Sequence, residues 1–123
     1  MFWRKKDKPL TREDVARLFQ EAGSLDKLDL SGRNLKGIDL SGVNLSRVNL
    51  SGANLRGANL SRADLASVPQ GAFLRRGAFL YGANLSGANL SRADLRGAEV
   101  TLEQLQEALS LEGTIMPDGS RHP

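Results

Sequence analysis

Leucine recurs at every fifth position along most of this 123-residue chain. In an α-helix a step of five residues advances about 500°, so these leucines would spiral around the whole cylinder and could not share one buried face. In a flat strand an odd step places successive leucines on opposite faces, which leaves the rest of the repeat unexplained. The leucines are Leu25, Leu30, Leu35, Leu40, Leu45, Leu50, Leu55, Leu60 and Leu65, followed after an interruption by Leu80, Leu85, Leu90 and Leu95.

The other positions of each pentad follow a pattern of their own. Two residues before the leucine stands an apolar residue, most often alanine, with Arg33 as the one polar exception. Asn or Asp lies between the two apolar positions, and glycine usually ends the pentad. Because Gly, Asn and Asp tolerate the torsions of tight turns, the pattern predicts a short extended piece and one corner per pentad. A chain that turns at such regular intervals is predicted to stack on itself as a solenoid.

Pentads such as residues 53–57 (Ala-Asn-Leu-Arg-Gly), 58–62 (Ala-Asn-Leu-Ser-Arg) and 93–97 (Ala-Asp-Leu-Arg-Gly) resemble those of pentapeptide-repeat proteins, with the signature A-(N/D)-L-x-x. The resemblance covers roughly residues 25–100. It implies an all-β solenoid, namely a right-handed quadrilateral β-helix in which four pentads form one coil of about 20 residues. The leucine and the small residue two positions before it would both point inward. The pentads between residues 30 and 100 then correspond to about four coils.

The composition is that of a single small domain. The chain has no cysteine, which excludes disulfides and thiolate metal sites. No apolar run approaches the length of a membrane helix, and the N-terminal residues include no hydrophobic stretch of the kind found in secretory signals. We therefore expect a cytoplasmic protein with no membrane association and no cofactor.

Both ends of the repeat have the sequence features of a capping helix, which would cover the open edges of a solenoid. Thr11 followed by Asp14 predicts a helix start and Gly23 its end, while Thr101 with Gln104 forms a capping-box pattern. The apolar stripe of the second helix is predicted to consist of Leu102, Leu105, Ala108 and Leu109. The second helix is expected to cap the last coil, to form a dimer contact, or both, because quinolone-resistance proteins of the resembled family pair through C-terminal helices. The predicted organisation is a flexible basic N-terminus at 1–10, a capping helix at 11–23, the β-helix at 24–100 with an irregular coil at 66–79, and a capping helix with a tail at 101–123.

The repeat is interrupted once, between Leu65 and Leu80. This interval equals three pentads, so we expect the coil phase to be preserved, with residues 68–71 forming a short bulge. Phe79 and Tyr81 flank the inward-facing Leu80 and are expected to point outward as an aromatic interaction surface. Phe73 is expected to fill the lumen if strict phase holds.

If every coil contains four pentads, one vertical column would contain four basic side chains. These candidate interaction residues are Lys36, Arg56, Arg76 and Arg96, with Arg75 replacing Arg76 if the interrupted coil is shifted by one residue. Such a basic ladder, together with the net charge of +3, would attract phosphate weakly. Nothing in the pattern places a helix for reading a DNA groove, so nucleic-acid binding is the less favoured alternative.

No catalytic or metal-binding arrangement is visible. The only histidine, His122, lies in a tail predicted to be flexible, and the Asp residues of the pentads interchange with Asn as turn residues do. The sequence therefore predicts a non-enzymatic scaffold or protein-interaction module, monomeric or dimeric, whose partner is another protein of unknown identity and not a small-molecule substrate. Members of the resembled family mimic DNA to bind gyrase, which makes gyrase a further alternative. The excess of 17 Lys and Arg over 14 Asp and Glu disfavours it.

Overall fold

The computed structural model describes residues 8–24, 28–46, 48–66 and 78–123. It contains two helices in these ranges, α1 (Arg12–Ala22) and α2 (Leu102–Gln106). A capping box begins α1: the Thr11 hydroxyl accepts a hydrogen bond from the Asp14 N–H at 3.1 Å, and Asp14 Oδ2 accepts one from the Thr11 N–H at 2.9 Å. Thr101 and Gln104 begin α2 in the same way. Both helices start after the threonine that the sequence indicated.

Between the helices, the described residues pair through isolated parallel β-bridges and not through longer strands. The bridges stack the pentads in four columns, which we number in chain order. Column 1 contains Asp29, Asn49, Asp94 and Ile115; column 2 contains Asn34, Asn54, Phe79 and Glu99; column 3 contains Asp39, Asn59 and Asn84; column 4 contains Asn44, Asp64, Asn89 and Ser110. Asp94 is assigned to column 1 because it comes one pentad after the column 4 residue Asn89. The solenoid prediction is confirmed.

The coils differ in length, and this difference corrects the predicted phase. Asn34 pairs with Asn54, four pentads later in the chain, whereas Asn54 pairs with Phe79, five pentads later. The five additional residues, one pentad in length, lie between Asp64 of column 4 and Phe79 of column 2, which are 15 residues apart where Asn44 and Asn54 in the preceding coil are 10 apart. The expectation that the interruption preserves the coil phase is therefore wrong. Most of the predicted irregular coil, including Phe73 and the bulge at 68–71, lies outside the described residues.

The corners that follow an Asn or Asp are built from side-chain and backbone hydrogen bonds within one pentad. In residues 39–43, Asp39 Oδ1 accepts from the Ser41 N–H at 3.0 Å, and the Leu40 carbonyl accepts from the Val43 N–H at 3.1 Å. Gly42 has a φ of 70°, the positive value that the third residue of such a turn requires. An asparagine Oδ1 accepts the same bond in other pentads, for example Asn59 from the Ser61 N–H at 3.0 Å. Asn and Asp interchange because both supply this acceptor.

The lumen is filled by the two inward positions of each pentad. The described leucines from Leu30 to Leu65 are at most 1% exposed, and so are the alanines of the central coils such as Ala58. Dispersion contacts and removal from water in these columns supply the core of a domain that is too small for a conventional one. Arg33, the one polar residue at an inward position among the described pentads between residues 28 and 100, is only half-buried, and its Nε is buried without a hydrogen-bond partner.

The N-terminal end of the stack is covered in part by α1. Val15 is 5% exposed, and Leu18 and Ala22 pack against the core. Leu10, expected in a flexible segment, is 8% exposed and its N–H donates to the Asn34 carbonyl at 2.9 Å. Residue 10 is therefore part of the ordered stack. Within the described ranges, neither helix is long and apolar enough to cross a bilayer.

The C-terminal end continues the coil path beyond the predicted repeat. In the last coil, α2 takes the place of a column 3 pentad, and Gln104 Nε2 donates to the Leu80 and Ala83 carbonyls at 2.6 and 3.0 Å. The chain then bridges at Ser110 and Ile115 and returns antiparallel, with Arg121 opposite Ile115. The His122 N–H donates to the Thr114 carbonyl at 2.8 Å, so the prediction of a flexible tail is wrong.

Candidate interaction surface

Two of the four predicted ladder residues lie one above the other. Lys36 and Arg56 each follow a column 2 asparagine by two residues, and the Gly37 N–H donates to the Arg56 carbonyl at 3.0 Å. Tyr81 occupies the next level, where the Gly57 N–H donates to its carbonyl at 3.1 Å. The coil of five pentads therefore places tyrosine where the ladder prediction placed Arg76.

The predicted four-membered ladder is wrong for this reason. Arg96 follows Asp94 of column 1, on the side of the coil adjacent to column 2. Arg76, like its alternative Arg75, lies outside the described residues. Arg96 Nε and Nη2 donate to the two carboxylate oxygens of Asp94 at 3.0 and 2.8 Å, and Asp94 is fully buried. These hydrogen bonds raise the pKa of Arg96 and hold its guanidinium against the coil.

Arg56 is held by two neighbours at higher levels of column 2. Its Cζ lies 4.1 Å from the centroid of the Phe79 ring, and its Nε lies 3.5 Å from Glu99 Oε1. A cation–π contact at an exposed site contributes about 0.5–1 kcal/mol, and the partly exposed ion pair adds little more. The stacked guanidinium covers part of Phe79, which is half-buried although the sequence predicts an outward-facing ring.

Tyr81 is exposed at the level above Arg56, with 66% of its surface accessible. Lys36 is also exposed, one coil below Arg56. We name the set formed by Lys36, Arg56, Phe79, Tyr81 and Glu99 the column 2 surface. Tyrosine and arginine are enriched among residues that dominate protein–protein binding energy. An arginine already oriented by a ring and a carboxylate loses less freedom on binding than a free one.

Glu99 is the member of this surface that sequence analysis missed. Between residues 28 and 100, Phe79 and Glu99 are the two described residues at the pentad centre that are neither Asn nor Asp. Both belong to column 2. A search for departures from the consensus at that position would have found Glu99, and the coil of five pentads explains why it lies near Arg56.

The described residues contain no group of three or more His, Cys, Asp or Glu side chains that could hold a metal ion. His122 lies in the C-terminal hairpin, where its Nδ1 is 2.9 Å from the carbonyl oxygen of the adjacent Pro123. The Asp residues at pentad centres accept hydrogen bonds from their own turns. For Asp39, the Ser41 hydroxyl, the Ser41 N–H and the nearby Arg12 lower the pKa of the carboxyl below its ordinary 3.8. These carboxylates therefore act as structural acceptors.

A family model described as pentapeptide repeats matches the chain in eight copies, over residues 24–68 and 76–101. The unmatched gap coincides with the interruption between Leu65 and Leu80. No curated protein matches the chain.

Several solved structures are similar. The pentapeptide repeat protein Rfr23 from the cyanobacterium Cyanothece 51142 is 42% identical, with a TM-score of 0.55, covering 70% of this chain and 51% of that one. HetL from Nostoc sp. strain PCC 7120, a pentapeptide repeat protein involved in heterocyst differentiation regulation, is 32% identical, with a TM-score of 0.39, covering 76% of this chain and 53% of that one. A pentapeptide repeat protein of the Arabidopsis thaliana thylakoid lumen is 29% identical, with a TM-score of 0.47, covering 72% of this chain and 61% of that one.

This chain spans about half the length of Rfr23 and of HetL. Proteins of the matched family fold as right-handed quadrilateral β-helices and are typically non-enzymatic. The eight matched copies cover more than half of the chain, and the residues they match include the stacked pentads described above. The chain belongs to the pentapeptide repeat family.

Proposed function

We propose that this chain is a non-enzymatic protein-interaction scaffold, built as a right-handed quadrilateral β-helix of about four coils. In this proposal α1 closes the N-terminal end, while α2 and the hairpin at 115–121 close the C-terminal end. The buried Val15 of α1 and the Gln104 hydrogen bonds to the coil below support these capping roles. The rigid coil would serve to display side chains at fixed spacing.

The column 2 surface carries the proposal. Tyr81 is exposed beside an arginine that Phe79 and Glu99 hold in place, so a large amphipathic side chain and an oriented cation are presented together. A complementary partner would be a protein with an apolar depression beside a carboxylate. The proposal thus describes the partner by the chemistry of its binding surface.

Site-specific photocrosslinking tests this proposal. A photoreactive phenylalanine analogue replaces Tyr81 in one variant and Ser86 in a matched variant, because Ser86 occupies the same exposed pentad position on column 3. We expect a discrete crosslinked protein from position 81 that is absent from position 86, and its loss when untagged wild-type protein competes. Equal crosslinking patterns from both positions would rule out the column 2 surface as the interface.

Association of two chains through α2 is a second proposal, supported by a separate observation. Leu102 and Leu109 are 66% and 73% exposed, although the sequence placed both on the apolar stripe of the C-terminal helix. A symmetric contact between two copies would cover them. Light scattering after gel filtration should give twice the chain mass for wild type and the single-chain mass for a Leu102→Ser, Leu109→Ser variant. A monomeric wild type at high concentration would contradict it.

A cytoplasmic location stays a prediction, which fractionation of cells producing the tagged protein would test. One structural relative comes from a thylakoid lumen. Gyrase binding stays the less favoured alternative, since Lys36 and Arg56 give the column 2 surface positive charge where DNA mimicry requires negative charge.

A further inference from the structure

The C-terminal end of the stack is acidic, although the chain as a whole has a net charge of +3. From residue 99 onward the chain contains five acidic side chains, one arginine and no lysine, and the structure describes every residue of this part. The acidic residues, all of them exposed, are Glu99, Glu103, Glu107, Glu112 and Asp118. This end of the molecule therefore attracts a positively charged partner.

Two exposed leucines flank the glutamates of α2 and of the turn that follows it. Leu102 is 66% exposed and Leu109 is 73% exposed, whereas Leu105 between them is 2% exposed and attaches the segment to the core. Glu103 and Glu107 lie between the two exposed leucines in sequence, and both are exposed themselves. We name the set formed by Leu102, Glu103, Glu107 and Leu109 the α2 surface. It combines accessible apolar area with negative charge.

Residues 1–7 precede the described part of the chain, and their sequence complements the α2 surface. Phe2 and Trp3 are followed directly by three basic residues at 4–6 (Arg-Lys-Lys). Tryptophan has a large apolar area and is among the residues that most often dominate binding energy at interfaces. An aromatic pair beside three cations matches two leucines beside two carboxylates in both apolar character and charge. This complementarity identifies residues 1–7 as the segment that fits the α2 surface.

We propose that residues 1–7 of one chain bind the α2 surface of a second chain, and that the two chains exchange these segments reciprocally. In this arrangement the two aromatic side chains cover Leu102 and Leu109, while the basic residues face the glutamates of the α2 surface. The inference rests on the association of two chains through α2 proposed above, and it names the part of the second copy that covers α2. Reciprocal exchange uses each segment and each surface once, so association stops at two chains.

The position of Leu10 favours a second chain over the same chain as the binding partner. Leu10 is held at the N-terminal edge of column 2, where its N–H donates to the Asn34 carbonyl at 2.9 Å. The level of Glu99 is four coil steps away, or about 19 Å along the axis. Seven extended residues span at most about 25 Å, so a segment binding its own chain would run almost straight past Lys36 and Arg56, which repel its basic residues. In an antiparallel pair, the N-terminal end of one chain lies level with α2 of the other.

Charge reversal on each side of the contact tests the proposal in the full chain. The segment variant has Lys5→Glu and Lys6→Glu, and the surface variant has Glu103→Lys and Glu107→Lys, at two exposed positions. Light scattering after gel filtration at low salt measures the mass, and circular dichroism checks the fold. We expect two chains for wild type and one chain for each variant alone, because segment and surface then have like charge. An equimolar mixture of the two variants should restore the mass of two chains, because each segment then meets a surface of opposite charge.

Two single substitutions separate this contact from the column 2 surface. Trp3→Ser should weaken the association by about tenfold or more, whereas Tyr81→Ser should leave it unchanged. A segment variant that still forms pairs, a Trp3→Ser protein that associates like wild type, or a mixture that stays at the mass of one chain would each overturn the exchange of segments. In the first two cases the association through α2 would stand, with another part of the second copy covering the leucines. A monomeric wild type would overturn both the association and the exchange.

Discussion

The turn glycines provide the sharpest test of how the coil is built, and Gly57 is the best position. Its φ is 69°, and a Cβ added there would have no heavy atom within 4 Å. A Gly57→Ala substitution therefore changes backbone strain with no new steric contact. The left-handed conformation costs an L-residue about 1–2 kcal/mol, and the loss of unfolded-state freedom offsets about 0.4–1 kcal/mol of this. We expect a net loss of about 1 kcal/mol in the free energy of unfolding, or about 4 °C in Tm.

Two further variants separate strain from contact. Gly57→Asn should cost about half as much as alanine, because asparagine adopts positive φ more readily. Gly87→Ala should cost more than Gly57→Ala, because its Cβ would lie 3.3 Å from Arg62 Cγ at a similar φ of 69°. Arg62, with a φ of 59°, shows that a turn of this kind accepts a side chain. Urea and thermal unfolding followed by circular dichroism measure all three. A Gly57→Ala protein as stable as wild type, or less stable than Gly87→Ala, would refute the argument.

Three other predictions follow from the structure. Leu60→Ala, at a fully buried lumen position, should lower the free energy of unfolding by about 3 kcal/mol. Leu109→Ala, at a largely exposed site, should change it by less than about 0.5 kcal/mol. Similar losses for the two variants in urea unfolding would contradict the lumen assignment. The pKa of Asp39 is lowered by the Ser41 hydrogen bonds, so its stabilising contribution is present above about pH 3.8 and is lost as the pH falls through the folded-state value. Asp39→Asn keeps the turn acceptor and should make urea midpoints less sensitive to acid between about pH 7 and pH 3; an unchanged dependence would refute this. Finally, a plot of the logarithm of duplex DNA affinity against the logarithm of salt concentration should have a slope no steeper than about −1.8, because the described column retains two ladder residues, Lys36 and Arg56. The protein should also not inhibit supercoiling by gyrase. A slope near −3.6 would favour the four-membered ladder.

The phase of the pentads could be predicted because the residues that determine each pentad's conformation lie within that pentad. The inward direction of Leu60 and the turn acceptor of Asn59 depend on residues within a few positions, so local chemistry is sufficient. The same holds for the helix starts at Thr11 and Thr101, where each capping partner lies three residues away.

Features that depend on the number of pentads per coil were not predictable. The residues near Leu65 do not indicate the length of the next coil. A count of four pentads per coil therefore predicts the wrong column for Arg96. The pairing of Arg121 with Ile115 depends likewise on where the last coil ends. Leu102 and Leu109 are exposed although they belong to an apolar stripe, so such a stripe does not indicate whether its residues pack within the chain or against another molecule.

The longer coil affects the lumen and the outer surface of this molecule differently. The later leucines of the repeat, Leu80, Leu85, Leu90 and Leu95, stay in the lumen although the coil is longer, but the inward residues on which they stack are different. On the outside, however, every later side chain is carried a quarter turn around the axis relative to a count of four pentads per coil, as Tyr81 replaced the expected arginine above Arg56. Gain or loss of one pentad thus moves all later surface residues by one column. Evolution can therefore test new juxtapositions of unchanged surface residues in a fold of this kind while the lumen stays filled by apolar side chains.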